Sequence, residues 1–390
     1  MSLEWESCKI GELGKIFSGG TPSTKIKEYW DGDLNWLSSG ETRNTYIYAT
    51  DKFITEEGAN NSSTKLANKG DIVIASAGQG FTRGQSSMVM IDTYVNQSVI
   101  VISPNDKVNI HYLLYNLKFR YPELRQLSDH ASTRGSLTTK IIKDLDIILP
   151  DLNTQNKIAT IIQYFDKKIE TNKKINKNLE EQLSLIFDDY FVKCSDYDED
   201  SLVKTDWGKI PKEWKNIDFG ELIQITSGDR PDEKSETKTD DFNIPLFGAS
   251  KIMGYTKEFS YDEDILIIGR VGTHGVVQRV NYPCFPSDNT FVIKSKYYGF
   301  VYQLLKRIDY DSLNTGSTQP LITQKSLKMV NVVLPDENSL FEFENISKVF
   351  FDKIYINQNE IGSLTKLRDT LLPKLMSGEI DVSKINCDLE

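Results

Sequence analysis

The chain has 390 residues, of which 39% are hydrophobic and 26% are charged, and its formal net charge is −10. This length allows two or three domains with apolar cores of their own, and the composition is that of a globular protein. No apolar run approaches the roughly 18 residues that span a bilayer, and the acidic N-terminus lacks the pattern of a signal peptide, so we expect a cytoplasmic protein. The net charge argues against nucleic acid as a partner, yet residues 1–150 and 201–335 are each nearly neutral and leave room for basic surfaces.

The N-terminal stretch of the sequence recurs in the middle of the chain. Residues 5–22, "WESCKIGELGKIFSGGTP", align without a gap with residues 214–231, "WKNIDFGELIQITSGDRP", at a constant offset of 209 residues. Trp, Gly, Glu, Leu, Ile, Ser, Gly and Pro coincide in the two stretches. A repeat of this period is far longer than a solenoid unit, so it indicates a duplicated domain.

Both copies continue with the same elements. "GDIVIASAGQG" at 70–80 matches "EDILIIGRVGTHG" at 263–275, and each consists of an acid, a β-branched apolar strand and a glycine-rich turn. "LDIILPD" at 145–151 matches "VNVVLPD" at 330–336, so each copy closes on a strand interrupted by Pro150 or Pro335. The sequence therefore predicts an α+β (mixed α/β) fold with two similar globular domains.

After each Leu-Pro-Asp the apolar period changes from two to about 3.5 residues, which predicts a long coiled-coil helix. The seam of the first helix comprises Ile158, Ile162, Phe165, Ile169, Asn172, Asn176, Leu179 and Leu183. The seam of the second comprises Phe343, Phe350, Ile354, Asn357, Ile361, Leu364 and Leu371.

Asn172 and Asn357 occupy equivalent seam positions at an offset of 185 residues. A polar Asn inside an apolar seam can fix register and orientation when it finds a partner, so we expect the two helices to pair antiparallel with each other. The alternative, that these Asn side chains face solvent at a break in the seam, remains open. Ser347 and Arg368, which also fall at seam positions, make the second helix the less regular one.

These patterns divide the chain into alternating globular and helical parts. We expect a first globular domain at 1–152, a first helix at 153–193 and an acidic surface linker at 194–210. A second globular domain at 211–337, a second helix at 338–378 and a C-terminal tail at 379–390 follow.

No pattern typical of an active site stands above the background. The glycines of "SAGQGFTRG" do not have the dinucleotide-binding spacing, and neither a phosphate-binding loop nor a Pro-Pro-aromatic core occurs. Four cysteines and three histidines are scattered without metal-ligand spacing, so reduced structural thiols are expected and zinc is not. The sequence therefore predicts no catalytic residue, no metal and no cofactor.

Candidate binding residues lie in the polar turns, where the two copies diverge while their strands stay similar. Arg, Asn and Gln make bidentate contacts to base edges in the major groove of DNA, although any single one of them can equally be a solvated loop side chain. The first copy offers Arg43, Asn44, Gln79, Arg83, Gln85 and Arg134. The second offers Arg230, Lys251, Arg270, His274, Gln278, Arg279 and Gln319.

Several motifs in this order resemble the specificity subunits of Type I restriction–modification systems. They are "IGELGKIFSGGTPST", "GDIVIASAG" and "LPDLNTQNKIATIIQYFDKKIETNKKINKNLEEQL" in the first half, and "FGELIQITSGDRP", "GSTQPLITQKSL" and "LPDENSLFEFENISKVFFDKI" in the second. The resemblance covers nearly the whole chain. The second half departs from it, because "SGDRPDEK" lacks the double Gly and the Thr of "SGGTPST".

The resemblance implies a non-catalytic subunit in which two target recognition domains each bind one half of a bipartite site in double-stranded DNA. It also implies that the helices set the gap between the halves and dock two adenine-methylating modification subunits, to which ATP-dependent restriction subunits are added in the full complex. We favour dimerisation of the isolated subunit through its helices.

Two other classes of function compete with this interpretation. The first is a coiled-coil adaptor that joins two protein-binding domains without DNA, which the acidic net charge favours. The second is a self-contained methyltransferase, which would need a pocket for a methyl donor that the sequence does not reveal. A steep salt dependence of duplex DNA binding would distinguish the specificity subunit from the adaptor.

Overall fold

The computed structural model describes residues 5–78, 80–131, 135–205, 208–314, 321–383 and 385. Contacts between residues divide the chain into two compact units. Unit 1 comprises Met1–Thr171 and Glu360–Glu390, and unit 2 comprises Asn172–Asn359. The segment that follows the second long helix therefore belongs with the N-terminal domain, and each long helix contributes to both units.

The first repeat forms two sheets and a separate strand pair. Its strands are β1 (Glu6–Lys9), β2 (Gly14–Ser18), β3 (Trp30–Leu37), β4 (Tyr46–Ile47), β5 (Lys52–Ile54), β6 (Lys65–Ala67), β7 (Ile72–Ala75), β8 (Ser86–Val89), β9 (Thr93–Val95), β10 (Val99–Pro104) and β11 (Asp146–Leu149). Its helices are α1 (Glu56–Asn60), α2 (Ile110–Phe119), α3 (Tyr121–Ala131) and α4 (Thr139–Asp144), and the long helix α5 (Leu152–Phe191) follows. The sheets have the strand orders β2-β10-β7-β8-β4 and β5-β3-β9-β6, while β1 pairs with β11.

The second repeat has the same plan. Its strands are β12 (Leu202–Thr205), β13 (Gly208–Pro211), β14 (Lys215–Asp218), β15 (Gln224–Ser227), β16 (Ile244–Phe247), β17 (Ile252–Thr256), β18 (Ile265–Gly269), β19 (Gln278–Val280), β20 (Phe285–Pro286), β21 (Thr290–Lys294) and β22 (Asn331–Leu334). Its helices are α6 (Tyr298–Leu305) and α7 (Gln324–Lys328), followed by the long helix α8 (Glu337–Met376). The order β15-β21-β18-β19 repeats β2-β10-β7-β8, and the pair β14-β22 repeats β1-β11, so the predicted duplication of an α+β domain is confirmed.

A shared glycine explains part of the echo between the two N-terminal stretches. A Cβ atom on Gly19 would overlap the carbonyl oxygen of Val95, and one on Gly228 would overlap the carbonyl oxygen of Ser287. Both glycines directly follow the strand at the edge of their sheet, β2 or β15. Only glycine allows the backbone to approach so closely, so the Ser-Gly pair is retained at the same place in both copies.

Each Leu-Pro-Asp motif marks the start of a long helix. The Asp151 carboxylate accepts hydrogen bonds from the backbone N–H of Thr154 at 3.1 Å and from its hydroxyl at 2.6 Å. The Asp336 carboxylate accepts the corresponding bonds from Ser339, at 3.0 and 2.7 Å. Because the first N–H groups of a helix have no partner within the helix, these two aspartates act as N-caps.

The two long helices pair antiparallel, as predicted. In unit 2 the Asn357 amide donates to the Asn176 side-chain oxygen at 2.8 Å, and the Phe187 and Phe343 rings lie 5.6 Å apart. The contact made later on α5 thus involves the residue that comes earlier on α8, so the two helices run in opposite directions. Asn357 is 2% exposed, so it lies inside the seam with a partner and does not face solvent.

The predicted seam residues are either buried or partly buried. Fully buried are Ile158, Ile162, Ile169, Asn172, Leu183, Phe343, Ile354 and Asn357. Partly buried are Phe165, Asn176, Leu179, Phe350, Ile361, Leu364 and Leu371. In unit 1, Ile158 and Ile162 also join the core built from the β2-β10-β7-β8-β4 sheet and α2. The helices are therefore part of the domain cores as well as of the seam.

The segment expected as a surface linker has structure of its own. It forms the antiparallel pair β12-β13 and buries Cys194 and Ile210 in an aromatic cluster with Phe191, Trp214 and Phe343. Tyr197 donates from its hydroxyl to Asp336 at 2.9 Å. This segment thereby helps to fasten the start of α8 within unit 2.

Replacing the N-cap Asp336 by Ala should lower the stability of the chain. Burial alone would raise the pKa of Asp336, but hydrogen bonds from Ser339, Tyr197 and the Trp214 indole outweigh it and hold the pKa at about 2. We expect Asp336→Ala to reduce the free energy of unfolding by about 1–2 kcal/mol at neutral pH, measured by urea denaturation.

The pH dependence gives a second readout of the same change. Because the pKa of Asp336 is lower in the folded than in the unfolded chain, its contribution is complete above pH of about 4 and is lost as the pH falls toward about 2. The difference in free energy of unfolding between Asp336→Ala and the unchanged chain should therefore shrink as the pH falls from about 4 to about 2. Glu213→Ala, at an exposed position, is the control, and an equal loss in both variants would contradict the N-cap role.

Candidate nucleic-acid interface

Four loops of unit 1 meet at one edge of its sheets. β2 and β7 both end beside the start of β10, where Ser18 and Ala75 pair with Ile100 and Val99. β3 ends beside the end of β9. Backbone hydrogen bonds join the loops directly, among them Ser76 N–H to the Ser98 carbonyl at 2.8 Å. We call the group of loops 19–22, 38–45, 76–85 and 96–98 the loop edge of unit 1; residue 79 lies outside the described residues.

Arg83 lies in the glycine-rich loop between β7 and β8, but its side chain points back into the domain. Its guanidinium donates to the Gly135 carbonyl at 3.0 Å and forms an ion pair with Asp129. Only 11% of the side chain is exposed. These contacts fasten the loop to the end of α3 and to Gly135 after it, so the side chain holds the loop in place.

Arg43 and Asn44 lie exposed in the turn before β4. The Ser87 hydroxyl of β8 donates to the Asn44 carbonyl at 2.6 Å, which ties this turn to the loop that carries Gln85. Gln85 is partly buried, and its carbonyl accepts the Ala75 N–H at 2.9 Å. The structure thus brings Arg43, Asn44 and Gln85 to the same loop edge.

The equivalent edge of unit 2 is built in the same way. Its loops are 228–231, 248–251, 270–277 and 287–289, which we call the loop edge of unit 2. β15 and β18 end beside the start of β21, and β16 ends beside β20. The Gly228 N–H donates to the Thr290 carbonyl and the Arg270 N–H to the Asn289 carbonyl, both at 3.0 Å.

Arg270 and His274 share the loop between β18 and β19. His274 stacks on Tyr310 with an interplanar angle of 11°, and its Nδ1 lies 3.2 Å from the Gly269 carbonyl. Within the part of the chain that the structure describes, the Arg270 Nε and the His274 Nε2 atoms have no hydrogen-bond partner. Both atoms are buried, so a ligand would reach them only if these side chains turned outward.

Gln278, Lys251 and Arg230 complete this edge. The Gln278 amide donates to the Gly248 carbonyl at 2.8 Å, which joins the loop after β18 to the turn that bears Lys251. Lys251 is exposed, and Arg230 is 83% exposed with Asp288 at 3.3 Å. Cationic and amide side chains therefore converge here, although the whole chain is acidic.

Arg279 faces the opposite direction. Its guanidinium forms an ion pair with Glu180 of α5 at 2.6 Å and lies 3.9 Å from the centre of the Phe351 ring. It is an internal contact of unit 2, so we omit it from the proposed DNA-binding set. Gln79, Arg134 and Gln319 lie outside the described residues.

Two features of the loop edge of unit 1 were missed by sequence reasoning. Phe81 is 81% exposed at the tip of the loop before Arg83, and the Tyr121 hydroxyl donates to its carbonyl at 3.0 Å. Thr21 donates to Gln97 across two neighbouring loops. The glycines around Phe81 could have marked it as a loop tip, whereas nothing in the sequence pairs Thr21 with Gln97.

Among the described residues, no cluster of three or more His, Cys, Asp or Glu is arranged to hold a metal ion. Within the same limits, no helix is both long enough and apolar enough to cross a bilayer. A cleft of about 1260 Å³ in unit 2 lies beside α8 and is lined largely by aromatic, amide and acidic side chains, including Tyr282, Asn345 and Glu344.

The long helices also present apolar side chains to solvent. On α5 these are Leu152 at the first position and, further along, Tyr164, Ile175 and Leu185. The last three are spaced by 11 and 10 residues, which is the spacing of a second heptad stripe. On α8 they are Phe341, Val349, Ile356 and Leu367. Helices with two apolar stripes can pack on one helix with the first and on a further partner with the second.

The comparison with known families decides the identity of the repeat. The sequence model of the Type I restriction modification DNA specificity domain matches residues 2–181 and 211–366. The chain belongs to the Type I restriction–modification specificity subunits. Each match covers one globular repeat of the specificity subunit and most of the long helix that follows it.

One relative and one solved structure match this specificity subunit over nearly its whole length, and a further relative matches less than half of it. The Type I restriction enzyme MjaIX specificity subunit of Methanocaldococcus jannaschii is 29% identical over 98% of this chain and 95% of its own. The EcoR124I/EcoR124II specificity subunit of Escherichia coli is 28% identical over 42% of this chain. The crystal structure of an S subunit from M. genitalium, 17% identical, superposes with a TM-score of 0.60 and covers 96% of both chains, which supports the fold.

Proposed function

We propose that this chain is the DNA sequence-specificity subunit of a Type I restriction–modification complex, and that each globular domain recognises one half of a bipartite site through the major groove. One observation carries the proposal: the same strand order occurs twice, with different polar side chains on equivalent loops. A duplicated scaffold with divergent loops suits the recognition of two different short sequences. Arg43, Asn44 and Gln85 are the proposed contacts of the first domain, with Arg230, Lys251, Arg270, His274 and Gln278 those of the second.

We further propose that α5 and α8 set the gap between the half-sites and dock two adenine-methyltransferase modification subunits. In this proposal their antiparallel pairing takes the place of a flexible linker, whose end-to-end distance would vary. The exposed apolar stripe of Tyr164, Ile175 and Leu185 supports docking of partner helices. The same stripe would favour dimerisation of the isolated subunit, and restriction subunits would join the full complex. In this scheme the chain is not catalytic, and the chemistry comes from its partners.

A genome-wide map of methylated adenines, with and without this gene, tests the proposal. The disappearance of one gapped, two-part motif with the gene would identify both half-sites at once. An unchanged map in a cell that expresses the chain and its partners would refute the proposal and favour a coiled-coil adaptor.

Arg270→Ala should weaken recognition of one half-site only. A bidentate contact of its guanidinium to a guanine would contribute about 1–3 kcal/mol of discrimination. Binding of the complex to duplexes with single substitutions in either half measures this. Lys209→Ala, which removes one exposed positive charge on β13, is the control and should leave both halves unchanged. An equal loss for every DNA sequence would instead assign Arg270 to a phosphate.

Removing one heptad from the middle of α5 and the facing heptad from α8 should shorten the gap. Seven residues correspond to about 10 Å of helix, or about three base pairs. The methylated motif should therefore keep both half-sites and lose about three base pairs between them. Alanine substitutions at exposed positions of the same heptads, at unchanged length, are the control. A motif with altered half-sites and the original gap would contradict the spacer role.

A further inference from the structure

A buried carboxylate of α5 connects the helices to the domain in unit 1. Asp166 accepts a hydrogen bond from the Tyr115 hydroxyl of α2 at 2.8 Å and an ion pair from Arg368 of α8 at 2.7 Å. The Asp166 side chain is only 5% exposed. Arg368, which looked like an irregularity of the seam, is therefore the partner of a buried charge.

The same contacts continue to the loop edge of unit 1. The Tyr115 hydroxyl lies 3.0 Å from the Tyr46 hydroxyl, and Tyr46 is the first residue of β4. β4 directly follows the turn that bears Arg43 and Asn44. An unbroken chain of hydrogen bonds thus runs from α8 through Asp166 to the strand that supports two proposed DNA contacts.

Unit 2 contains a second carboxylate on α5 with similar partners, and its side chain is 25% exposed. Glu180 accepts a hydrogen bond from the Tyr302 hydroxyl of α6 at 2.9 Å and an ion pair from Arg279 of β19 at 2.6 Å. Lys306 approaches the same carboxylate at 3.5 Å. Arg279 lies on β19, directly after the loop that carries Arg270. The Glu180 carboxylate therefore contacts a strand that supports the loop edge of unit 2.

The two arrangements make similar contacts, but their carboxylates do not occupy equivalent positions in the repeat. Tyr115 and Tyr302 lie on equivalent helices, since α2 follows β10 and α6 follows β21, the strands at equivalent places in the two sheets. The repeat would place the second carboxylate on α8, but Phe351 occupies that position at the offset of 185 residues. Glu180 instead lies two heptads beyond Asp166 on α5. We call these two groups the Asp166 and Glu180 junctions.

A buried ion pair of this type contributes little net stability, because the loss of hydration offsets the attraction between the charges. Such an ion pair does fix the relative position of the carboxylate and its partners, because a displaced carboxylate would stay buried without hydrogen bonds. Burial raises the pKa of both Tyr115 and Tyr302, so their hydroxyls stay protonated and keep donating. The junctions are therefore suited to fixing orientation.

We propose that Asp166 and Glu180 are positioning residues, which fix the orientation of each loop edge relative to α5 and thereby set how strictly the complex measures the gap between half-sites. The inference rests on the proposed function, since the gap has meaning only for a bipartite DNA site. It adds residues that touch no DNA and yet govern specificity.

Tyr115→Phe and Tyr302→Phe test the two junctions with the loss of a single oxygen atom. Each variant is expressed with its partner subunits, and the methylated adenines of the genome are mapped. Both half-sites should stay unchanged, while motifs with a gap one base pair longer or shorter should gain methylation by about tenfold, which corresponds to the loss of one charge-assisted hydrogen bond.

The chain offers a matched control for each variant. Tyr112 on α2 donates from its hydroxyl to the Ile148 carbonyl at 3.3 Å, and Tyr298 on α6 donates to the Ile265 carbonyl at 3.2 Å. Tyr112→Phe removes a hydroxyl from α2 outside the Asp166 junction. Tyr298→Phe removes one from α6 that packs on Phe351 beside Arg279, but it leaves the hydrogen bond and the ion pair of Glu180 in place. Both controls should keep the single gap of the unchanged chain, whatever their effect on stability.

Asp166→Asn and Glu180→Gln extend the test to the carboxylates themselves. If these two variants do not fold, the methylation maps of Tyr115→Phe and Tyr302→Phe alone decide whether the inference holds. Methylation at a single, unchanged gap in Tyr115→Phe and Tyr302→Phe would overturn the inference, even if its overall level fell. The unchanged chain is mapped first: absence of any gapped motif there refutes the proposed function, whereas a gapped motif with unaltered tolerance in the variants refutes the inference alone.

Discussion

Burial of one apolar stripe along each long helix constrains most of what the chain can do. Both helices are 40 residues long, and their inward faces serve two purposes at once. Ile158 and Ile162 belong to the core of unit 1, and Leu183 and Phe343 belong to an aromatic cluster of unit 2. Because these residues pack on a domain as well as in the seam, the helices cannot shift without disturbing the domains. Polar groups are tolerated there when they have partners, as Asn357 has in Asn176.

Much of this architecture could be predicted because it follows from periodicity. The gapless echo at an offset of 209 residues revealed the duplication, and the change of period after each Leu-Pro-Asp revealed the helices. The helix bounds of 152–191 and 337–376 differ from the expected 153–193 and 338–378 by two residues or fewer. The physical reason is local: an aspartate that caps the first N–H groups acts on its own next three residues.

The orientation of single side chains could not be predicted in this way. Arg270 and Arg279 lie in the same short stretch, yet the first lines a loop edge and the second pairs with Glu180, which is 99 residues away in the sequence. Composition identifies both as possible DNA contacts and cannot tell an arginine in solvent from one against a helix. Asp166 and Glu180 were missed for the same reason, since a carboxylate on a charged helix carries no sign that its partners are buried. The loop edges themselves depend on strand order, which only the fold reveals.

The discontinuity of unit 1 also bears on how the chain is made. Leu375, Met376 and Val382 are buried in the same core as Ile10 and Ile72, and Lys157 donates to the Ser383 carbonyl at 2.7 Å. During synthesis, the first domain to leave the ribosome therefore lacks part of its core until nearly the whole chain has emerged. Unit 2 is contiguous in sequence and can close earlier, because its contacts need no later residues. A chain that ended before residue 360 would therefore contain every residue of unit 2 but only part of the core of unit 1.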